Sequence, residues 1–204
     1  TLLEPDIEFI LRDSGSKGVV VSTPAQAGKV LKIRSSLDTL KFVISMDRAE
    51  FSASAVQHWH KVVADELSRS TDPVQPFCRK ALTVQPEATA SLLYTSGTTG
   101  EPKGVVLTHD NIASNVLACH HLIPVGSGDV GFSFLPLSHV FERMLDYFYF
   151  SRGVSIAYPE SMEAMPQNLL EVRPTVMAVV PRVLERIHER VMEAVRNAAA
   201  PGDT

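Results

Sequence analysis

The chain has 204 residues, 45% of them hydrophobic, and its 19 Lys and Arg residues against 23 Asp and Glu residues give a net charge of −4. This composition supports a sizeable core in one large domain or two small ones, and the charge disfavours a basic face for nucleic acid or an anionic membrane. No uncharged apolar stretch approaches the ~18 residues of a membrane-spanning helix. Cys78 and Cys119 lie far apart without metal-ligand spacing, which predicts reduced thiols, a cytoplasmic location and no metal site.

In the first 88 residues, apolar residues at helical spacing alternate with short apolar runs. Helices are predicted over residues 1–15, 24–37 and 52–69. Short buried strands are predicted over residues 17–22 and 40–46. Gly15 is placed to end the first helix. The stretch 70–88 is rich in Pro and turn formers, which indicates a connection between two halves of the chain.

The second half repeats the alternation. Strands are predicted over residues 89–94, 130–135, 154–159 and 175–180. Helices are predicted over residues 111–123, 140–153, 165–173 and from Pro181 onward. Thr108 or Asp110 can cap the first of these helices, and Pro181 suits the first position of the last one. The whole pattern predicts an α/β fold of layered, largely parallel sheets flanked by helices, with halves over residues 1–80 and 81–204.

One stretch, "LLYTSGTTGEPKGVVLTHDN" over residues 92–111, is a poor helix and a poor strand. Its glycines permit a loop whose backbone N–H groups turn toward one point, which suits phosphate oxygens. Hydroxyl groups that add hydrogen-bond donors come from Thr95, Ser96, Thr98 and Thr99. Lys103 supplies a positive charge but precedes Gly104, and no Ser or Thr follows it, so the Walker A pattern does not match. The stretch therefore predicts a phosphate loop of another kind.

The segment "YTSGTTGEPKG", residues 94–104, resembles the phosphate-loop signature of the adenylate-forming superfamily, which includes acyl-CoA synthetases, firefly luciferase and peptide-synthetase adenylation domains. Two more segments resemble the long-chain fatty acyl-CoA synthetase branch, namely "FLPLSHVFER" over 134–143 and "VVPRVLERI" over 179–187. The resemblance covers most of the chain and is weakest over residues 47–85. The phosphate loop is highly specific for the superfamily, and the other two segments are moderately specific for the branch.

The resemblance implies a two-step reaction in which a carboxylate attacks the α-phosphate of ATP and the coenzyme A thiol then displaces AMP. It implies ATP, Mg²⁺ and coenzyme A as cofactor and co-substrates, and a fatty acid as substrate. The residues that would bind the β- and γ-phosphates are Thr95, Ser96, Gly97, Thr98, Thr99, Gly100 and Lys103. Lys103 would neutralise charge on the departing pyrophosphate. His139 matches a pocket position near the acyl carboxylate, although a satisfied core histidine is the competing interpretation.

Several parts of the family pattern are not found. No "GYGLTE"-like segment for adenine and no "TGD"-type ribose motif occurs, and the small C-terminal domain is absent. We therefore expect an interior fragment of the large N-terminal domain that is inactive by itself and hides exposed sheet edges by self-association. The resemblance leaves open a peripheral membrane association of the parent enzyme.

Other polar residues have a plainer interpretation. His58 and His60, two residues apart on a predicted helix, lie on different faces, which disfavours a metal site. For Glu142 and Arg143 a solvated ion pair is the commoner role.

Two alternative functions remain. One is an adenylate-forming ligase for another carboxylate, an aryl or amino acid. The other is a non-catalytic nucleotide-binding module, whose expected signature would be a damaged loop.

Overall fold

The computed structural model describes residues 2–48, 56–69, 72, 74–95 and 102–199. They belong to two compact units, Thr1–Asp110 and Asn111–Thr204. The halves 1–80 and 81–204 that the sequence suggests within a longer domain stay a prediction. Of the phosphate-loop residues, Ser96, Gly97, Thr98, Thr99 and Gly100 lie outside the described residues.

The first unit contains a parallel sheet with two helices packed on it. Its helices and strands, in chain order, are α1 Glu4–Asp13, β1 Gly18–Val21, α2 Pro24–Ile33, β2 Phe42–Ser45, β3 Val56–His58, α3 Trp59–Arg69, α4 Val74–Ala81, β4 Thr89–Thr95 and β5 Lys103–Thr108. The parallel sheet has the order β1-β2-β3. Thr23 caps α2 by accepting a hydrogen bond from the Gln26 N–H, and Pro24 begins the helix. The buried core of this unit consists of Leu11, Val21, Ala27, Val30, Leu37, Leu40, Val43 and Val56.

Strands β4 and β5 form a separate antiparallel hairpin. The register runs from Thr89 opposite Thr108 to Thr95 opposite Lys103, with Tyr94 opposite Gly104. The hairpin follows α4 and precedes α5, His109–Leu122.

The second unit is built on a parallel sheet of order β7-β6-β8. Its elements after α5 are β6 Val130–Phe132, α6 Val140–Arg152, β7 Ser155–Ala157, α7 Met165–Val172, β8 Val176–Met177 and α8 Pro181–Ala199. Gly153 ends α6 with φ of 70°, a left-handed conformation that favours glycine. The buried core consists of Val116, Val125, Leu145, Phe148, Tyr149 and Val154.

The predicted α/β class with largely parallel sheets is confirmed, and the structure differs from the local predictions in three places. The helix predicted over 52–69 begins only at Trp59, because Val56–His58 pairs with β2 as a strand. The predicted connection contains α4, in which Pro76 is tolerated because it falls in the first turn. The stretch taken as a poor strand contains β5, whose Val105 and Val106 are suited to a pleated strand.

Among the described helices, none is both long and apolar enough to cross a membrane.

Candidate functional site

The end of the β4–β5 hairpin next to the connection between its strands carries the two described members of the predicted phosphate loop. Thr95 and Lys103 form the last register pair, and both side chains are exposed. A hydroxyl group and an ammonium group on facing strands are suited to an anionic phosphate ligand. The described residues therefore fit a phosphate group at this end of the hairpin.

A hydrogen bond from Tyr94 connects this end of the hairpin to α1. The tyrosine hydroxyl donates a hydrogen bond to Asp13 Oδ2 at 2.6 Å, between residues 81 positions apart in the chain. Its ring lies over Gly104 so closely that a Cβ at Gly104 would be 3.1 Å from Tyr94 Cε1 and Cζ. Desolvation and the Asp13 carboxylate raise the pKa of the Tyr94 hydroxyl, so Tyr94 stays a neutral hydrogen-bond donor. The glycine and the tyrosine thus determine how the strands meet beside the loop.

His139 is the N-cap of α6. Its Nδ1 atom accepts a hydrogen bond from the Phe141 N–H at 3.3 Å, so Nε2 is the ring nitrogen left to donate a hydrogen bond. His139 is exposed and lies on the wall of a cavity, so the interpretation as a buried core histidine is wrong.

The cavity beside His139 has a volume of about 400 Å³. It is lined by Leu135, Pro136, His139, Phe141, Glu142, Val179, Val180 and Pro181. These residues come from the β6–α6 connection, the start of α6, and the junction of β8 with α8. Apolar side chains dominate the wall, which suits the hydrocarbon part of a ligand.

Glu142 is the unexpected residue of this wall. It is only 1% exposed, so the predicted solvated ion pair with Arg143 is wrong. Arg143 instead donates from Nε to the Leu137 carbonyl at 3.0 Å. Burial raises the pKa of Glu142, and the negative Asp146 adds to that rise. Ser133 lies near enough to lower this pKa in part, although no hydrogen bond of good geometry joins the two side chains.

A second buried carboxyl follows one helical turn later. Asp146 is 6% exposed, and its Oδ2 accepts a 2.7 Å hydrogen bond from the Tyr158 hydroxyl. Burial, this hydrogen bond and the nearby carboxylates raise the pKa of Tyr158 to about 12. The sequence signal for the pair was helical spacing: Glu142, Leu145, Asp146 and Tyr149 share the buried face of α6.

His58 and His60 do not share a helix. His58 ends β3 and His60 lies in α3, with ring centroids 5.6 Å apart. The His58 Nδ1 atom lies 3.2 Å from the Asp47 carbonyl oxygen. Over the described ranges, no three His, Cys, Asp or Glu side chains come together as a possible metal site.

The model of the family described as "AMP-binding enzyme" matches residues 1–202. The chain belongs to this family.

Curated relatives within the family are similar over much of the chain. Long-chain-fatty-acid–CoA ligase 5 of Mus musculus is 32% identical over 195 residues, which are 91% of this chain and 28% of the ligase. The peroxisomal long chain acyl-CoA synthetase 6 of Arabidopsis thaliana is 40% identical over 116 residues, 56% of this chain and 16% of the synthetase. The chain therefore spans less than a third of the length of these relatives.

Solved structures agree on the fold. A fatty acyl-CoA synthetase of Mycobacterium tuberculosis superposes with a TM-score of 0.67 at 26% identity, covering 90% of this chain and 33% of the synthetase. A red-emitting luciferase from Phrixothrix hirtus has a TM-score of 0.71 at 22% identity, covering 90% of this chain and 35% of the luciferase, and this likeness concerns the fold alone.

Proposed function

We propose that the full-length protein containing this chain is an ATP-dependent long-chain-fatty-acid–CoA ligase. The observation that carries the proposal is the hairpin end with Thr95 and Lys103, in a chain similar over 91% of its length to a long-chain-fatty-acid–CoA ligase. In the first step a carboxylate oxygen of the fatty acid bonds to the α-phosphorus of ATP, and the bond to the β-phosphate oxygen breaks. In the second step the coenzyme A thiol loses its proton, its sulfur bonds to the acyl carbon, and AMP leaves.

Lys103 and the loop have an electrostatic role in the first step. Negative charge grows on the pyrophosphate as it leaves, and the Lys103 ammonium offsets it together with donors from Thr95, Ser96, Thr98 and Thr99. Glycine at positions 97 and 100 would let backbone N–H groups approach the phosphates. When bound to ATP, Mg²⁺ neutralises part of the phosphate charge.

His139 and its cavity would bind the carboxylate end of the fatty acid. The Nε2–H of His139 supplies a donor for the carboxylate, while the apolar wall takes the first carbons of the chain. A volume of about 400 Å³ is sufficient for part of a long hydrocarbon chain.

The test is pyrophosphate–ATP exchange by the full-length protein with a panel of acids. Exchange that depends on long-chain fatty acids supports the proposal. Exchange with aryl or amino acids in their place would favour a ligase for another carboxylate. Tight ATP binding without exchange for any acid would favour a non-catalytic nucleotide-binding module.

We further propose that residues 1–204 by themselves do not turn over and that they self-associate. Helix α8 exposes an apolar row at helical spacing, with Leu184, Val191 and Val195 each more than half exposed. Light scattering and the exchange assay on this chain test both statements; a monomer with exchange activity would contradict them. For the full-length protein we propose a cytoplasmic location with peripheral membrane association as an alternative, which fractionation with and without high salt distinguishes.

A further inference from the structure

Glu142 is a buried carboxyl group on the wall of a largely apolar cavity. Its side chain is 1% exposed, and the only other titratable side chain on the described wall is His139. A buried charged group normally has a partner, because leaving water without one is costly. Glu142 therefore needs either a proton or a ligand.

Three buried side-chain oxygen atoms have no hydrogen-bond partner among the described residues: Glu142 Oε2, Ser133 Oγ and Asp146 Oδ1. Such atoms are rare in folded proteins, and one that belongs to a residue of a cavity wall indicates a position for a ligand group. Of the three residues, only Glu142 lines the cavity.

The surroundings of Glu142 favour its neutral form. Asp146 and Tyr149 face it from α6, and Tyr158 follows β7. Ser133 and the backbone amides of Phe134 and Leu135, which follow β6, lower the pKa of Glu142 only in part, and burial outweighs them. These groups supply no cation, and the second carboxyl acts against ionisation.

We propose that Glu142, as a neutral carboxylic acid, donates a hydrogen bond to the carboxylate of the acyl substrate and so determines which head group the cavity accepts. This rests on the proposed function. The proton stays on Glu142, and no covalent bond changes. The substrate carboxylate then has two donors, the Glu142 O–H and the His139 Nε2–H, without a permanent positive charge in the wall.

The neutral and the ionised forms of Glu142 would prefer opposite head groups among ligands with the same hydrocarbon chain. A neutral Glu142 accepts decanoate and decanol and disfavours decylamine, because a neutral acid gives an ammonium group no charge partner. An ionised Glu142 would repel decanoate and bind decylamine best. The three probes share one hydrocarbon chain and differ only in the head group.

Equilibrium binding of these probes to the full-length protein, between pH 5.5 and pH 8.5, tests the inference. We expect wild-type affinity for decanoate to fall up to about tenfold per pH unit once Glu142 ionises. Glu142→Gln retains a neutral donor and should bind decanoate with that part of the pH dependence removed. Glu142→Leu, which has no donor, should bind decanoate at least about tenfold more weakly at low pH while binding decanol nearly normally. Glu185→Gln, an exposed position on α8, is the matched control and should follow wild type.

Infrared spectra give a readout that requires neither ligand nor turnover. A neutral carboxyl C=O band should be present at pH 7 in wild type and in Glu185→Gln, and lost in Glu142→Gln. Absence of the band, preference for decylamine, or a decanoate pH profile that Glu142→Gln leaves unchanged would each overturn the inference. The proposed function fails separately: decanoate binding that depends on Glu142, without fatty-acid exchange, would refute the ligase and leave this inference standing.

Discussion

Replacing Gly104 by alanine tests whether Tyr94 determines the approach of the two hairpin strands. In an open strand, Gly→Ala gains about 0.4–1 kcal/mol because the unfolded chain loses freedom. At Gly104 the new Cβ would be 3.1 Å from Tyr94 Cε1 and Cζ and 3.4 Å from its hydroxyl oxygen. Ordinary carbon contacts begin near ~3.5 Å, so the ring must move by a few tenths of an ångström. The 2.6 Å hydrogen bond to Asp13 opposes that movement.

Overpacking of this kind typically costs about 1–3 kcal/mol, which exceeds the entropic gain. We expect Gly104→Ala to lower the free energy of unfolding by about 0.5–2 kcal/mol. In a Tyr94→Phe background the ring is no longer tied to Asp13 and can tilt, so the same change should cost at least about 0.5 kcal/mol less. Gly28→Ala is the control: a Cβ there meets nothing within 4 Å inside α2, and the change should stabilise by about 0.5–1 kcal/mol.

The assay is urea unfolding followed by fluorescence of the single tryptophan, Trp59, which belongs to the same unit as the hairpin. If Gly104→Ala lowers the free energy of unfolding equally in the wild-type and Tyr94→Phe backgrounds, the hydrogen bond to Asp13 does not hold the ring in place. If Gly104→Ala instead stabilises the protein, as the Gly28→Ala control should, the Tyr94 ring does not crowd a Cβ at position 104.

Four further outcomes are expected. Lys103→Ala should slow adenylation by about 2–4 kcal/mol of barrier and leave thioester formation from supplied acyl-adenylate nearly unchanged; equal losses in both half-reactions would contradict its role. His139→Ala should raise the fatty-acid KM and, because the helix cap is lost, lower the stability by about 1 kcal/mol. His139→Asn should keep the cap and the melting temperature but still raise the fatty-acid KM. A normal KM in both variants would show that His139 is not part of the site. Gly153→Ala should cost about 1–2 kcal/mol, because its φ of 70° is strained for alanine, and an unchanged melting temperature would refute this. Hydrogen bonds from the Gly126 N–H and the Thr175 hydroxyl hold the pKa of Asp129 below its ordinary value of 3.8. The stability that the Asp129 carboxylate adds is therefore present above pH 3.8 and is lost as the pH falls through the lowered pKa. The melting temperature of Asp129→Asn should lie below that of wild type by an amount that shrinks as acid is added, and a constant difference would contradict this.

The sequence predicts the features of this fold that depend on local chemistry. Gly15 and Gly153 end helices in the left-handed conformation, and Pro181 begins one, because each residue type is restricted in the backbone angles it adopts. The alternation of helices and strands along the sequence was sufficient to predict the parallel sheets.

The missed elements depend on partners distant in sequence. Strand β3, only Val56–His58, exists because β2 pairs with it, and α3 begins at the very next residue, Trp59. Strand β5 depends on β4 in the same way. The pocket position of His139 was predicted by resemblance, whereas the burial of Glu142 was missed because a carboxylate is expected in solvent unless it is paired or protonated.

The register of the hairpin has a consequence for chain-length variation in related proteins. Residues 96–102 lie between Thr95 and Lys103, so a residue inserted among them leaves Tyr94 opposite Gly104. A deletion at Val105 or Val106 shifts the pairing by one position and moves every later side chain of β5 to the other face. Insertions should therefore be tolerated between the two strands and rejected within β5, and a library of single-residue insertions and deletions scored for folding would display this boundary.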